Sequence, residues 1–330
     1  MSGGIIAPGY VDLQVNGGGG VMFNDDQSVD ALRTIAQAHA AIGSAAILPT
    51  LITDTPDRTK AAIAAVEQAI TERVAGIVGI HLEGPHLSVA RKGAHDPSLI
   101  RPMGADDLAI VLRAADRLPN VMMTVAPENT THAQVRAMSD AGVIVSLGHS
   151  DADFEACMAA FDAGARCVTH LFNAMSQLGN REPGLVGATL ARDDIHAGLI
   201  ADGLHVHPAT MRIALAAAAN DARIMLVTDA MASAGSQING FMLNGRKVVR
   251  KDRRLTLENG TLAGADLEMT QAVSTLVNAV GDPVSQAIRR ATGTPLSLLK
   301  GFNNARPLFD PAVFVNHLAD DLSAVRRLCE

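Results

Sequence analysis

Short apolar segments alternate with segments of helical periodicity between residues 11 and 230. The order is strand then helix throughout, from VDLQVNG at 11–17 and the helical stretch at 28–43 to IMLVTDA at 224–230. Because the strands are nearly continuously apolar and the helices between them are amphipathic, the pattern predicts an α/β protein with a parallel sheet covered by helices. The eight predicted strands lie at 11–17, 44–53, 77–84, 121–128, 143–150, 167–174, 196–205 and 224–230.

Polar residues recur where these strands end, and they bear on how the sheet closes. Eight strand–helix repeats over about 250 residues suit a closed (β/α)8 TIM barrel, with a doubly wound open sheet as the alternative. A barrel would bring all the strand ends to one rim, whereas an open sheet would spread them out. The pattern therefore favours the barrel. The polar strand-end residues are Gln14, Asn16, Glu83, Glu128, His149, His170, Asp202, His205 and Asp229.

The segment after the eighth strand differs from the repeats before it. Asn-Gly pairs at 239–240, 244–245 and 259–260 are typical of tight hairpin turns, so we predict a β-hairpin insertion at about 236–264. The barrel is expected over residues 5–305, and short strand-like pieces at 306–330 predict a small C-terminal β element.

Composition narrows the classes of partner. The net charge of −7 argues against a broad nucleic-acid surface, and a chain with no Trp and one Tyr has few stacking platforms. The apolar stretches are shorter than the ~18 residues of a membrane span, and MSGGIIAPGY lacks a signal-peptide pattern. Cys157, Cys167 and Cys329 form no paired motif. We therefore expect a cytoplasmic protein with neither nucleic acid nor membrane as a partner.

Three of the strand-end residues form a metal-ligand set. Glu83, His149 and His170 end the third, fifth and sixth strands, and two imidazoles with one carboxylate are typical of catalytic zinc with an open position. Each residue alone could be an ordinary polar strand end, but three at matching depth favour a metal site. Asp229 ends the eighth strand, where it could act as general base and then general acid, although a capping role for it is the alternative.

The first strand predicts the number of metal ions. It carries Gln14 and Asn16 where a His-x-His pair would supply imidazoles to a second ion, and amide oxygens are poor zinc ligands. We expect one divalent metal per subunit, zinc first, with ferrous iron also compatible with the ligands. Gln14 and Asn16 could instead bond water or ligand, or fill the top of the barrel.

Several motifs together resemble a known family. PGYVDLQVNG, HLEGPHLS with RKGAHDP, SLGHSDA, THLFNAM with GNREPGLVG, IADGLHVHP and LVTDAMA occur in the order found in N-acetylglucosamine-6-phosphate deacetylases of the amidohydrolase superfamily. The resemblance covers roughly residues 5–300. It implies an amidohydrolase-type TIM barrel, the metal ligands and acid/base already named, and a homodimer acting on a phosphosugar.

The resemblance also implies roles for further residues. His95 matches the histidine that helps polarise the acetyl carbonyl. The remaining matches are to substrate-binding positions, some of which reach across a dimer interface in this family. These positions are Asn173, Ala174, Arg181, His205, Leu262, Ala263 and Gly264. Arg181 could otherwise be a surface ion pair and His205 an ordinary loop histidine.

The expected activity is metal-dependent hydrolysis of N-acetylglucosamine 6-phosphate to glucosamine 6-phosphate and acetate. The alternatives are deacylation of another N-acyl amino sugar, and a phosphosugar-binding protein that has lost catalysis. Family members usually begin with extra strands that join the C-terminal segment in a small β-sandwich, whereas this sequence starts almost on the first barrel strand. We therefore expect residues 306–330 to be the remnant of an incomplete sandwich.

Overall fold

The computed structural model describes residues 3–218, 223–300 and 314–328. The strands are β1 (Ile5–Pro8), β2 (Tyr10–Val15), β3 (Gly17–Gly18), β4 (Val21–Met22), β5 (Ser44–Ile52), β6 (Ile80–Glu83), β7 (Val121–Val125), β8 (Ile144–Leu147), β9 (Cys167–Val168), β10 (His196–Leu199), β11 (Ile224–Leu226), β12 (Gly240–Leu243), β13 (Arg246–Lys251), β14 (Arg254–Leu257), β15 (Leu262–Ala265), β16 (Val315–Leu318) and β17 (Val325–Arg327).

The helices alternate with the strands as the sequence pattern predicts. They are α1 (Val29–Ala41), α2 (Pro56–Thr71), α3 (Ala105–Arg117), α4 (His132–Asp140), α5 (Phe154–Asp162), α6 (Gly184–Leu190), α7 (Pro208–Ala217), α8 (Met269–Thr275), α9 (Val284–Ala291) and α10 (Gly293–Leu296). Short 3-10 turns lie at Val89–Arg91 and Pro127–Asn129, and a π-helical turn lies at Leu276–Val280. No helix of the described ranges is long and apolar enough to cross a bilayer.

Eight of the strands form a parallel barrel. Their order is β2-β5-β6-β7-β8-β9-β10-β11, and each pairs with its neighbour in parallel. The ends of this sheet meet through a parallel bridge between Val15 and Ala230. The predicted TIM barrel is therefore confirmed, and the open-sheet alternative is wrong.

Short polar side chains set where several barrel helices begin. Ser28, Thr55, Thr131 and Asp153 precede α1, α2, α4 and α5, and each accepts a hydrogen bond from a backbone N–H in the first turn. Each such cap contributes about 1 kcal/mol. Because the caps define the helix starts, they also define the lengths of the loops that leave the strand ends.

The barrel interior changes from apolar to polar along the strand direction. One buried cluster draws residues from strands all round the cylinder, so it fills the barrel at its amino end. It consists of Val11, Leu13, Ala46, Leu48, Val78, Met122, Ile144, Cys167, Met225, Leu298 and Leu299. A hydrogen-bonded polar layer follows, formed by Thr50, His81, Thr124, Ser146 and Thr169. The larger buried cluster includes strand and helix side chains and fills the space between them.

Apart from the short β3–β4 pair, two antiparallel sheets in the described residues flank the barrel. In the segment predicted as a hairpin, β12 to β15 form a four-stranded sheet, which joins the barrel through a bridge between Ala230 and Ala265. The second sheet pairs β1 with β16 and β16 with β17, so strands near the two ends of the described chain lie together. Of the predicted C-terminal element, residues 306–313 and 329–330 lie outside the described ranges, as does Cys329.

Candidate active site

A cavity of about 400 Å³ lies at the carboxyl ends of the barrel strands. The barrel rim forms its floor, and the sheet β12 to β15 contributes part of its wall through Leu243, Thr261, Leu262 and Gly264. The other lining residues are Asn16, Ile52, Glu83, Ala90, Arg91, Gly93, Ala94, His95, His149, His170, Asn173, Ala174, Ile200, His205, Asp229 and Met231.

Glu83, His149 and His170, called here the Glu-His-His cluster, meet at the bottom of this cavity. Oε1 of Glu83 lies 3.2 Å from Nε2 of His149 and 3.1 Å from Nε2 of His170. The two imidazole nitrogens are 3.0 Å apart. Donors bound to one zinc ion at about 2.0–2.1 Å lie roughly 3.3 Å apart in a tetrahedral site. The three atoms thus have the mutual spacing of ligands to one ion.

The tautomer of His149 agrees with a ligand role. Its Nδ1 is 2.8 Å from the backbone carbonyl of Arg91, which can only accept, so Nδ1 carries the proton in the neutral ring. Nε2 then presents a lone pair to the Glu83 carboxylate and to His170. Burial opposes ionisation of Glu83, but the adjoining imidazoles hold its pKa well below the usual range. A carboxylate and a lone pair aimed at one point fit a divalent cation there.

His95 stands beside the cluster with a different tautomer. Glu83, His95 and His149 also offer donor atoms within 4.8 Å of one another, so His95 is a rival ligand by distance. Its Nδ1, however, accepts the backbone N–H of Thr53 at 3.3 Å, and Thr53 Oγ1 lies 2.7 Å away. Burial and the His149 imidazole lower the pKa of His95 well below its usual value. The ring is therefore neutral with its proton on Nε2, which suits a hydrogen-bond donor rather than a ligand.

Asp229 faces the cluster from just beyond the end of β11, the eighth barrel strand. Its Oδ1 accepts hydrogen bonds from Asn16 Nδ2 at 2.7 Å and Gln14 Nε2 at 3.1 Å. Gln14 Nε2 also lies 3.2 Å from Oε1 of Glu83 and so stands between two carboxylates. Burial and the Glu83 charge raise the pKa of Asp229 to about 6. Asp229 thus titrates near neutrality, as a proton-transfer group should.

Three of these side chains stand on left-handed backbone. His149, His170 and Asp229 have φ of 47°, 31° and 51°, a region that costs non-glycine residues about 1–3 kcal/mol each. Gly264, with φ of 68°, packs so closely that a Cβ would lie 2.9 Å from the carbonyl oxygen of Asp229. The rim therefore holds unfavourable conformations at the positions that carry the predicted chemistry.

The predicted substrate-binding residues divide into two groups. Asn173, Ala174, His205, Leu262 and Gly264 line the cavity. Of the other two, Ala263 is fully buried in a cluster behind the wall, and Arg181 is exposed and does not line the cavity of its own chain.

The structure shows further contacts at the site that were not predicted from the sequence. Asp202 holds His205 through a 2.6 Å contact between Oδ2 and Nδ1, and its Oδ1 accepts the His205 N–H at 2.7 Å. His81 lies one layer below the cluster, with Nε2 2.7 Å from Thr124 Oγ1. The Asp202-x-x-His205 spacing could have suggested a pair, but nothing in the sequence links His81 to Thr124 or Thr53 to His95.

Comparison with known proteins places the chain in a family. The model of the amidohydrolase family matches residues 5–292. The chain is an amidohydrolase. This amidohydrolase is 42% identical over 300 residues to the N-acetylgalactosamine-6-phosphate deacetylase of Shewanella sp. (strain ANA-3), covering 91% of this chain and 75% of that protein. It is 35% identical to the N-acetylglucosamine-6-phosphate deacetylase of Haemophilus influenzae, with 89% and 77% covered.

A solved structure of similar fold comes from Pasteurella multocida. The amidohydrolase superposes on an N-acetylglucosamine-6-phosphate deacetylase of that organism with a TM-score of 0.92 at 33% identity, covering 99% of this chain and 86% of the other. The predicted family resemblance is confirmed by both kinds of comparison.

Proposed function

We propose that this amidohydrolase removes the N-acetyl group of an N-acetylhexosamine 6-phosphate, with N-acetylglucosamine 6-phosphate as the first candidate substrate. The products are glucosamine 6-phosphate and acetate. The observation that carries the proposal is the Glu-His-His cluster with Asp229 beside it, in a cavity at the carboxyl rim of the barrel. Relatives named deacetylases of such phosphosugars supply the substrate class.

Glu83, His149 and His170 would hold one divalent metal ion, zinc in the first instance. When bound, such an ion supplies a Lewis acid that makes water more acidic and an amide carbonyl more electrophilic. The side-chain amide of Gln14 donates to the carboxylates of Glu83 and Asp229, where a second ion would need an imidazole ligand, which supports one ion per subunit.

Asp229 would move the proton. Its Oδ1 is occupied by Asn16 and Gln14, while Oδ2 accepts no hydrogen bond from the described residues, so Oδ2 is the atom free to take a proton from the attacking water. The C–N bond then breaks as the same carboxylic acid returns the proton to the departing amine nitrogen. His95, neutral and protonated on Nε2, would donate to the acetyl oxygen as charge develops there.

His205, fixed by Asp202, would bind the sugar phosphate together with Asn173 and the backbone at Ala174. Leu262 and Gly264 would form the wall against the sugar, with Ala263 packed behind them. Because Arg181 is exposed on its own chain, we propose that it serves the site of a second subunit in a homodimer. The cytoplasmic location expected from the sequence stays a prediction.

The test is acetate release from purified protein, measured with and without a chelator and after return of zinc or ferrous iron. N-acetylglucosamine 6-phosphate, N-acetylgalactosamine 6-phosphate and unphosphorylated N-acetylglucosamine are the substrates to compare. The 42% identity to a galactosamine-type deacetylase makes the second sugar a genuine rival. Binding of phosphosugar without metal-dependent acetate release would overturn the proposal in favour of a binding protein.

A further inference from the structure

The first and last barrel strands meet with little backbone pairing. Within the described residues, β2 is joined to the segment after β11 by one isolated bridge, between Val15 and Ala230, while β6 and β7 pair over four residues. The N–H groups of Asn16 and Gly17 both turn to the carbonyl of Ala230, at 2.8 and 3.2 Å. Side chains must therefore supply much of the connection across this seam.

Asp12, in the middle of β2, makes the side-chain connection between the first and last barrel strands. Its Oδ2 accepts the hydroxyl of Thr228 at 2.5 Å, and its Oδ1 accepts the Thr228 N–H at 3.3 Å and the Gln14 N–H at 3.2 Å. Asp12 is fully buried, and no described Lys, Arg or His forms an ion pair with it. An acid in this place costs folding free energy. A neutral residue would close the seam at lower cost, so the acid calls for another explanation.

Thr228 connects Asp12 to Asp229, the residue with left-handed backbone that follows Thr228 in the chain. The Thr228 hydroxyl donates to Asp12, and the same oxygen accepts the N–H of Ala230 at 3.2 Å. Thr228, which precedes Asp229, is thus bonded to Ala230, which follows it. The carbonyl of Asp229 accepts the N–H of Ala265 at 3.0 Å. Hydrogen bonds therefore hold the backbone on both sides of Asp229, and Asp12 connects them to the first barrel strand.

We propose that Asp12 is a positioning residue which acts through Thr228 to hold Asp229 in its left-handed conformation and so aims the Asp229 carboxylate at the Glu-His-His cluster. The inference rests on the proposed function, because it concerns the acid/base group of that reaction. Without the tie, the backbone gains by returning to negative φ, and that rotation swings the carboxylate away from Asn16 and Gln14.

The test removes the Thr228 hydroxyl and keeps the volume of the side chain. Thr228→Val removes the bond to Asp12, Thr228→Ser keeps it, and Thr189→Val makes the same change at a buried hydroxyl on α6 that bonds only the carbonyl of Leu185. For metal-loaded protein we expect Thr228→Val to lower kcat by about tenfold to a hundredfold, with KM and bound metal unchanged. Thr228→Ser and Thr189→Val should stay within about twofold of wild type. Asp12→Asn, which removes one acceptor, should follow Thr228→Val.

The inference and the proposed function can fail separately. If the wild type is active, the inference is overturned when Thr228→Val and Asp12→Asn lose unfolding free energy but keep kcat per bound metal. If the wild type releases no acetate, the proposed function fails on its own. A crystal structure of Thr228→Val then decides: the inference holds if Asp229 leaves its left-handed conformation and its bond to Asn16, and is refuted if both persist.

Discussion

Replacing Asp229 by asparagine should lower turnover by orders of magnitude and at the same time stabilise the metal-free protein. The carboxylate lies beside Glu83 at the cavity, and its pKa is raised to about 6 from an ordinary value of 3.8. Because the folded-state pKa is above the unfolded one, the ionised group opposes folding above pH 6, and this penalty fades as the pH falls toward 3.8. Asparagine carries no charge, and its oxygen can still accept the bonds from Asn16 and Gln14.

The expected gain in the free energy of unfolding follows from the pKa shift of Asp229. About two pKa units correspond to roughly 3 kcal/mol at pH 8, which is an upper bound because Asp229 is partly exposed to the cavity. We expect Asp229→Asn to raise the free energy of unfolding by about 1–3 kcal/mol at pH 8, and by about half as much at pH 5. Turnover should fall by about 10²- to 10⁴-fold with metal retained.

The assay is urea unfolding of chelator-treated protein followed by far-UV circular dichroism, since the chain has no Trp. Asp116→Asn, at an exposed position on α3, is the matched control and should change stability by less than about 0.5 kcal/mol. An Asp229→Asn protein no more stable than wild type at pH 8, or with a gain that does not shrink at pH 5, would refute the electrostatic reasoning.

Three further predictions concern other buried groups. Glu83→Gln should weaken metal binding by more than about a hundredfold, measured as metal per subunit after dialysis, because a ligand charge is lost. His95→Gln should retain metal and lower kcat by about 10²- to 10³-fold, because the donor to the acetyl oxygen is displaced. Burial lowers the pKa of His39 to about 4, so its contribution to stability is present above pH 6.5 and is lost as the pH falls, by about 2 kcal/mol at pH 5. His39→Gln should remove that loss, as measured by urea unfolding at pH 7.5 and pH 5.

Each of these has an outcome that contradicts it. Full metal occupancy in Glu83→Gln would remove Glu83 from the ligand set, and loss of metal in His95→Gln would make His95 a ligand. If the stability of His39→Gln falls with pH as steeply as that of wild type, the buried ring bonded to the Gly17 carbonyl is not the group responsible.

Much of the barrel could be read from the sequence because each strand and helix carries its own periodicity. The predicted segments were nonetheless longer than the strands. The sixth was expected at 167–174 and spans Cys167–Val168, since the following residues, His170 among them, leave the sheet on left-handed backbone. Periodicity reports burial, and buried loop residues at a barrel rim look like a continued strand.

The segment predicted as a β-hairpin insertion also shows what the sequence pattern leaves undecided. The Asn-Gly pairs at 244–245 and 259–260 lie at turns as predicted, whereas Gly240 of the pair at 239–240 begins β12. The turn between β13 and β14, at 252–253, has no Asn-Gly pair, and the segment has four strands rather than two. That this sheet also walls the cavity through Leu262 and Gly264 depends on its docking beside Ala230, a contact between distant parts of the chain.

Sequence alone determined the alternation of elements, and with it the barrel and the rim at which Glu83, His149, His170 and Asp229 gather, because parallel strands in a barrel end on one side. Only the tertiary structure decided which nitrogen of His149 and His95 carries the proton, and what Gln14 and Asn16 do. It also decided that Asp12 reaches Thr228. Those properties are set by hydrogen bonds between residues far apart in the chain, and local pattern carries no record of them.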